Sequence, residues 1–255
     1  MADPGEVAAI LRRALEYPYA TPEGSYLYRD GDAHELPAGG PDLAARTPLL
    51  SYGANSAPEA LALKLAPLPG VELPVLRAEL DGFDVVYSAH VSPYGAVPAT
   101  LVESPGTTAP VFVLHPTVEQ HAFLTATEPN YDLVEVNGIV AYRSKHGCLE
   151  IDGSPVALAT VRSVGRTLPE LDQPAILERV RSHLEPKLSL EELILDSVAR
   201  GGRTSRGVSK PWRICAAPGG RSRRRRRRGP RGGPAVPRSP GRPRRARRSL
   251  PAAPA

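Results

Sequence analysis

Tyr52-Gly53-Ala54-Asn55 follows directly on the apolar run that begins at Pro48. A turn after a buried strand can aim successive backbone N–H groups at one point, which makes an anion-binding concavity without a positive side chain. Gly53 lets the backbone approach a ligand closely. Taken alone, the tetrapeptide is an ordinary strand-to-helix turn, because Gly and Asn are common turn residues. A carboxylate of interest, Glu128, comes after residues 117–127, where Val118, His121, Phe123 and Leu124 lie in helical reach of one another. Taken alone, a glutamate at a helix end is a solvated charge.

Other chemistries find less support. The histidines at 34, 90, 115, 121, 146 and 183 show no metal-ligand spacing, and His115 with His121 does not make the i, i+4 pair of a helical zinc site. Ser92 and Ser104 lack the Gly-x-Ser-x-Gly setting of a nucleophile elbow. No phosphate-binding glycine loop is present. Neither a metal nor a cofactor is expected.

These residues need a scaffold to position them. Asp3 before Pro4 is a good cap and first position for a helix over 4–16, with Val7, Ile10, Leu11 and Leu15 at helical spacing. Residues 17–47 are rich in Gly, Pro, Asp and Ala without a sustained period and read as a linker or surface arm. The run from Pro48 to Tyr52 predicts a buried strand, and Ser56 with Pro58-Glu59 starts a helix carrying Leu61, Leu63 and Leu65. Strand-like segments at 75–80, 83–91, 97–102 and 111–114 form a meander, followed by the helix that ends at Glu128. Further β pattern covers 133–136, 139–143, 148–151 and 156–161. Helices over 173–183 and 189–198 close the body, the second with Ser189 and Glu192 in capping-box spacing. Mixed β-structure with few helices is the α+β pattern and lacks the alternation of a doubly wound sheet.

Charge divides the chain near residue 200. Of 32 Lys and Arg, 18 lie beyond Arg200, where Asp and Glu are absent; residues 1–200 keep 14 basic against 27 acidic groups, a formal net of −13. An acidic body repels phosphate backbones, so no specific nucleic-acid partner is expected. Residues 201–255, with six arginines from Arg223 to Arg228, have the composition of a disordered tail and of GC-rich codons read out of frame. Such a tail binds polyanions non-specifically, which makes a polyanion-binding protein one alternative function. Cys148 and Cys215 read as lone thiols, and the N-terminus lacks the charge pattern of a signal peptide. No stretch approaches the ~20 apolar residues of a spanning helix. A soluble cytoplasmic protein is the expectation, organised as an arm over 1–47, a domain over 48–200 and the tail.

Leu50-Ser51-Tyr52-Gly53-Ala54-Asn55 resembles the Tyr-Gly-Ser-Asn loop of gamma-glutamylcyclotransferase-like domains. Downstream, Pro98-Ala99-Thr100-Leu101, Ser104-Pro105-Gly106, the apolar run at 111–114, Glu128 and Tyr131 follow in the order and spacing of that family, over about residues 48 to 135. The resemblance implies a mixed-sheet, β barrel-like domain with peripheral helices. It also implies an internal aminolysis, in which the α-amine of a γ-glutamyl group attacks its own γ-carbonyl, closing 5-oxoproline and releasing an amine or peptide. Glu128 then corresponds to the catalytic glutamate, while Tyr52, Gly53, Ala54, Asn55 and Tyr131 bind the substrate. The partner is a small γ-glutamyl compound. Two positions depart from the family pattern: Ala54 stands where a small hydroxyl residue is usual, and Pro129 where many members have glycine. The alternative on the same fold is a non-catalytic protein that binds a small amino-acid-like ligand.

Overall fold

A computed structural model describes residues 3–204. Helix α1 (Pro4–Leu15) is capped by the Asp3 side chain, which accepts from the Glu6 N–H. A hairpin follows, β1 (Tyr26–Arg29) and β2 (Asp32–His34), then β3 (Leu49–Ser51), a 3-10 turn at Ala54–Ser56 and α2 (Pro58–Leu65). The centre is two long strands, β4 (Glu72–Tyr87) and β6 (Ala99–Leu114), with the short β5 (His90–Val91) between them. Next come α3 (Val118–Ala126), β7 (Tyr131–Val136), β8 (Ile139–Ser144), β9 (Glu150–Ile151), β10 (Ser154–Pro155), β11 (Ala157–Leu158) and β12 (Glu170–Leu171). Helices α4 (Gln173–Leu184) and α5 (Leu190–Ala199) and the strand β13 (Arg203–Thr204) complete the described chain.

The main sheet has nine strands in the order β12-β11-β4-β6-β3-β8-β7, with the β1–β2 hairpin added along the first half of β4. It is mixed, because β3 pairs with β8, and β11 with β12, in parallel, while the other pairs are antiparallel. The α+β expectation holds at this level. Barrel closure does not: β7 and β12 end the order and are bonded on one side only. A barrel requires the two edges to meet in register, and β7 instead points the exposed Asp132 and Glu135 outward, charges of the kind that keep an edge from pairing.

Two other expectations change. The four strand segments of the supposed meander are two 16-residue strands, paired from Val75↔Leu114 to Tyr87↔Ala99. Gly82, at φ 78°, marks a bulge, and pairing resumes on either side of it, so a residue that reads as a strand end only bends the ladder. The supposed arm over 17–47 carries β1 and β2, and Tyr17, Tyr26 and Tyr28 in it are buried. Its aromatic side chains fill space beside the sheet that a polar linker would leave open.

Apolar side chains gather in two main clusters. One unites Leu50, Tyr52, Tyr87, Val97 and Leu158 with Ile176, Leu177, Leu193 and Ile194 of α4 and α5. The other joins Leu49, Leu73, Val75 and Leu114 to Leu61 and Leu65 of α2 and Leu124 of α3. The neighbours Leu49 and Leu50 thus point to opposite faces of β3, and the turn that follows emerges between two packed layers. The described chain continues to residue 204: β13 pairs with β5, and a Cβ on Gly202 would meet the Val91 carbonyl at 2.9 Å. The remainder of the expected tail, and with it the arginine run, lies outside the described residues. Cys148 is buried and disulfide-bonded, which corrects the reading of it as a lone thiol and removes that support for a reducing compartment. Among the described residues no helix is long and apolar enough to cross a membrane.

Candidate functional site

Strand β3 is buried on both sides, by β6 and β8, and delivers the chain from Ser51 into the turn at Tyr52–Asn55. Within it the Ser51 and Ser56 hydroxyls lie 2.8 Å apart, which ties the start of the turn to its end. Gly53 is needed for close approach: an added Cβ would stand 2.7 Å from the Tyr17 hydroxyl and 3.3 Å from the Ala99 Cβ. Helix α3 starts with a complete capping box, in which the Thr117 side chain accepts from Gln120 N–H while Gln120 returns a bond to Thr117 N–H. Its last turn is closed by the Thr127 hydroxyl donating to the Leu124 carbonyl. These two ends fix Glu128 at the helix exit.

Glu128 and the turn meet in one pocket, although 73 positions separate Glu128 from Asn55. Asn55 Nδ2 donates to Glu128 Oε1 at 3.0 Å. Tyr52, Gly53, Ala54 and Tyr131 line the same pocket, so all six expected residues are brought together. Tyr131 does so as a half-buried side chain whose hydroxyl donates to the Ala99 carbonyl at 2.8 Å, leaving its ring as the wall.

Sequence reading missed Lys64. Its ammonium donates to Asn55 Oδ1 at 2.7 Å and forms a short ion pair with Glu128 Oε1. The side chains are only 19% and 14% exposed, so this pair is shielded from solvent and counts for more than a surface ion pair. The available signal was a single charge within the otherwise apolar stretch Ala60–Leu65, one position before the buried Leu65. Its spacing fits a solvated helix residue equally well.

Phenols make up much of the rest of the wall, with Tyr17, Tyr94 and Tyr142 joining Tyr52 and Tyr131. Tyr17 accepts from the Ala99 N–H at 2.8 Å, and Tyr52 donates to the Tyr142 carbonyl. Burial first, and the nearby Glu128 charge as a lesser cause, push the hydroxyls of Tyr17, Tyr52, Tyr94 and Tyr131 above the ordinary tyrosine value. Tyr142 is pushed up to about 12, mainly by burial. All five remain neutral donors at physiological pH. The free space left among these groups is about 50 Å³, room for a few waters at ~10–15 Å³ each.

Behind Tyr131 lies a second polar group. His90 is 2% exposed, its Nδ1 sits 2.7 Å from the Ser88 hydroxyl, and its ring centroid is 4.7 Å from that of His146. Burial, and secondarily the His146 charge, lower its pKa from 6.5 to about 3. The folded state therefore holds His90 neutral, while an unfolded chain takes up the proton near pH 6.5. Stability is lost as pH falls from about 6.5 toward 3 and levels off below that. Urea unfolding at pH 7 and pH 4.5 is expected to differ more for the wild type than for His90→Gln, by on the order of 2 kcal/mol. Equal losses in the two proteins would place the acid sensitivity elsewhere.

Among the described residues no group of three or more His, Cys, Asp or Glu is placed to hold a metal ion. What the pocket offers is one carboxylate, one ammonium, a carboxamide linking them, the backbone of a tight turn and a ring of neutral phenols. Compared with protein-family models, with curated proteins and with solved structures, the chain matches none.

Proposed function

We propose that the protein is a gamma-glutamylcyclotransferase-like enzyme that cleaves a γ-glutamyl amide by internal aminolysis, giving 5-oxoproline and a free amine or peptide. One observation carries the reading: the Glu128 carboxylate accepts a 3.0 Å bond from Asn55 of the very turn that the resemblance assigns to substrate binding. The reaction needs a base beside backbone donors in a confined space. Glu128 takes a proton from the substrate α-ammonium, and the freed amine attacks the γ-carbonyl carbon. A C–N bond forms, the carbonyl oxygen takes up the negative charge, and N–H groups of the turn at Tyr52–Asn55 stabilise it. Glu128 returns the proton to the leaving nitrogen as its C–N bond breaks, and the second proton of the ring nitrogen passes to the freed amine, leaving a neutral lactam and an ammonium.

Lys64 completes the recognition. An α-amino-acid head carries one ammonium and one carboxylate, and the pocket holds one of each in the opposite sense. The substrate ammonium replaces Lys64 on Glu128, and Lys64 swings to the substrate carboxylate. A non-catalytic amino-acid-binding protein is the second reading, favoured by the same charge pair because recognition alone requires no more.

Screening γ-glutamyl compounds for 5-oxoproline release decides between the two. Turnover is expected for the enzyme, and saturable binding without turnover would leave the second reading standing. For an active protein, Lys64→Met should raise KM roughly tenfold or more with a smaller change in kcat, as expected for loss of a charge-assisted bond made in both ground and transition states. An unchanged KM, with thermal unfolding also unchanged, would remove Lys64 from substrate binding.

A further inference from the structure

The turn at Tyr52–Gly53 has two sides. Ser51, Tyr52 and Gly53 line the pocket that holds Glu128, and they also line a second cavity of about 420 Å³ bounded by Pro18, Phe112, Arg77 and Arg162. The first pocket is small and polar, with Lys64 on its wall, and suits only the head of a ligand. The second is several times larger, with an apolar floor of Val111, Phe112 and Val161 and a charged rim. Glu23 is the single acid among its lining residues against the two arginines. Arg77 is held from one side, its guanidinium donating to the Glu23 carbonyl. Arg162 is exposed and makes no ion pair with any described residue.

Arg162 is nevertheless well anchored. Its loop is tied down by the Arg166–Asp84 ion pair at 2.8 Å, by the Thr108–Val164 bridge, and by Gly165, where an added Cβ would come 2.2 Å from the Gly106 carbonyl oxygen. The guanidinium is thus carried by backbone that three separate contacts hold against β4 and β6. A planar guanidinium so placed matches a carboxylate in a two-point bond.

We infer that this cavity is the leaving-group subsite and that Arg162, with Arg77, selects γ-glutamyl peptides ending in a free carboxylate over γ-glutamylamines. The inference rests on the cyclotransferase reading of the adjoining pocket. With the glutamyl head on Glu128 and Lys64 and the γ-carbonyl at the turn, the remainder of the substrate continues past the shared residues. It meets the apolar floor first and the arginines beyond it.

The test uses the full chain, with γ-glutamyl-alanyl-glycine, the same compound as its C-terminal amide, and γ-glutamylputrescine. Two quantities are measured in wild type and Arg162→Gln: kcat/KM for 5-oxoproline release, and calorimetric affinity for alanyl-glycine against its amide. Wild type is expected to prefer the free carboxylate by about tenfold or more in both, with the amine substrate poorest, and Arg162→Gln to bring the carboxylate-to-amide ratio close to one. Turnover with no such preference would overturn the subsite and leave the cyclotransferase reading intact. A preference that survives Arg162→Gln would overturn the role given to that residue. No turnover, together with dipeptide binding that depends on Arg162, would keep the carboxylate site and overturn the cyclotransferase reading; neither turnover nor binding would overturn both.

Discussion

Glu128→Gln should lower 5-oxoproline release by on the order of 10²- to 10⁴-fold, the usual contribution of a positioned acid–base group. Glutamine keeps the size of the side chain and an oxygen that can still accept from Asn55 Nδ2, the partner now at 3.0 Å. What it loses is the capacity to take the proton from the attacking ammonium. Binding of a γ-glutamyl compound should weaken much less, because the head group keeps Lys64 and the backbone of the turn. The decisive comparison is kcat against the dissociation constant in the same variant. Wild-type turnover in Glu128→Gln would mean that another group is the base. Glu79, Glu103 and Glu119 do not line the pocket, and Glu128 is the one carboxylate among its lining residues.

The largest loss of stability is expected for Arg166→Met. Asp84 is fully buried, and its carboxylate accepts from Arg166 Nε and Nη2, each at 2.8 Å, with further bonds only from the Ser163 hydroxyl and the Val85 N–H. Removing the guanidinium leaves a buried charge with two neutral donors, a change that costs about 3–5 kcal/mol when one partner of a buried pair is deleted. For a domain of this size that lowers the midpoint of thermal unfolding by on the order of 10 °C. Deleting the other partner, in Asp84→Ala, should cost less, because Arg166 keeps Glu170 Oε2 at 2.6 Å. A double variant Asp84→Leu/Arg166→Met should recover part of the loss, since no charge is then stranded. Unfolding that is unchanged in Arg166→Met would show that water reaches Asp84. The same contact holds the loop that carries Arg162, so the chemistry of the second cavity and the stability of the sheet share one ion pair.

Local chemistry made much of the helical structure legible. Asp3-Pro4 and Ser189 with Glu192 each place donor and acceptor within three residues, and in each helix the side chain caps the N–H that the spacing predicts. Strand ends were less legible, because Gly and Pro have two meanings in a sheet. Gly82 reads as punctuation and acts as a bulge within one continuous ladder, since pairing with β6 on either side outweighs the weak local preference to stop. In the arm, the abundance of Gly and Pro masked three tyrosines: the burial of Tyr26 and Tyr28 depends on where β4 passes, and Tyr17 is buried where its hydroxyl meets the Ala99 N–H.

The amino-acid sequence by itself determined the helix starts, the buried strand that enters the turn, the acidic character of residues 1–200 and, through the order of short motifs, which residues to consider with Glu128. Each of these is encoded within a few neighbouring positions or in composition. Only the tertiary structure decided that the sheet stays open, that Lys64 occupies Glu128, that five tyrosines from four separate stretches of chain make one wall, and that Arg162 stands beside the far side of the turn. The reason lies in what a folded contact is: Lys64 and Glu128 are 64 positions apart, and no rule of spacing relates them until α2 and α3 pack against the same face of β3.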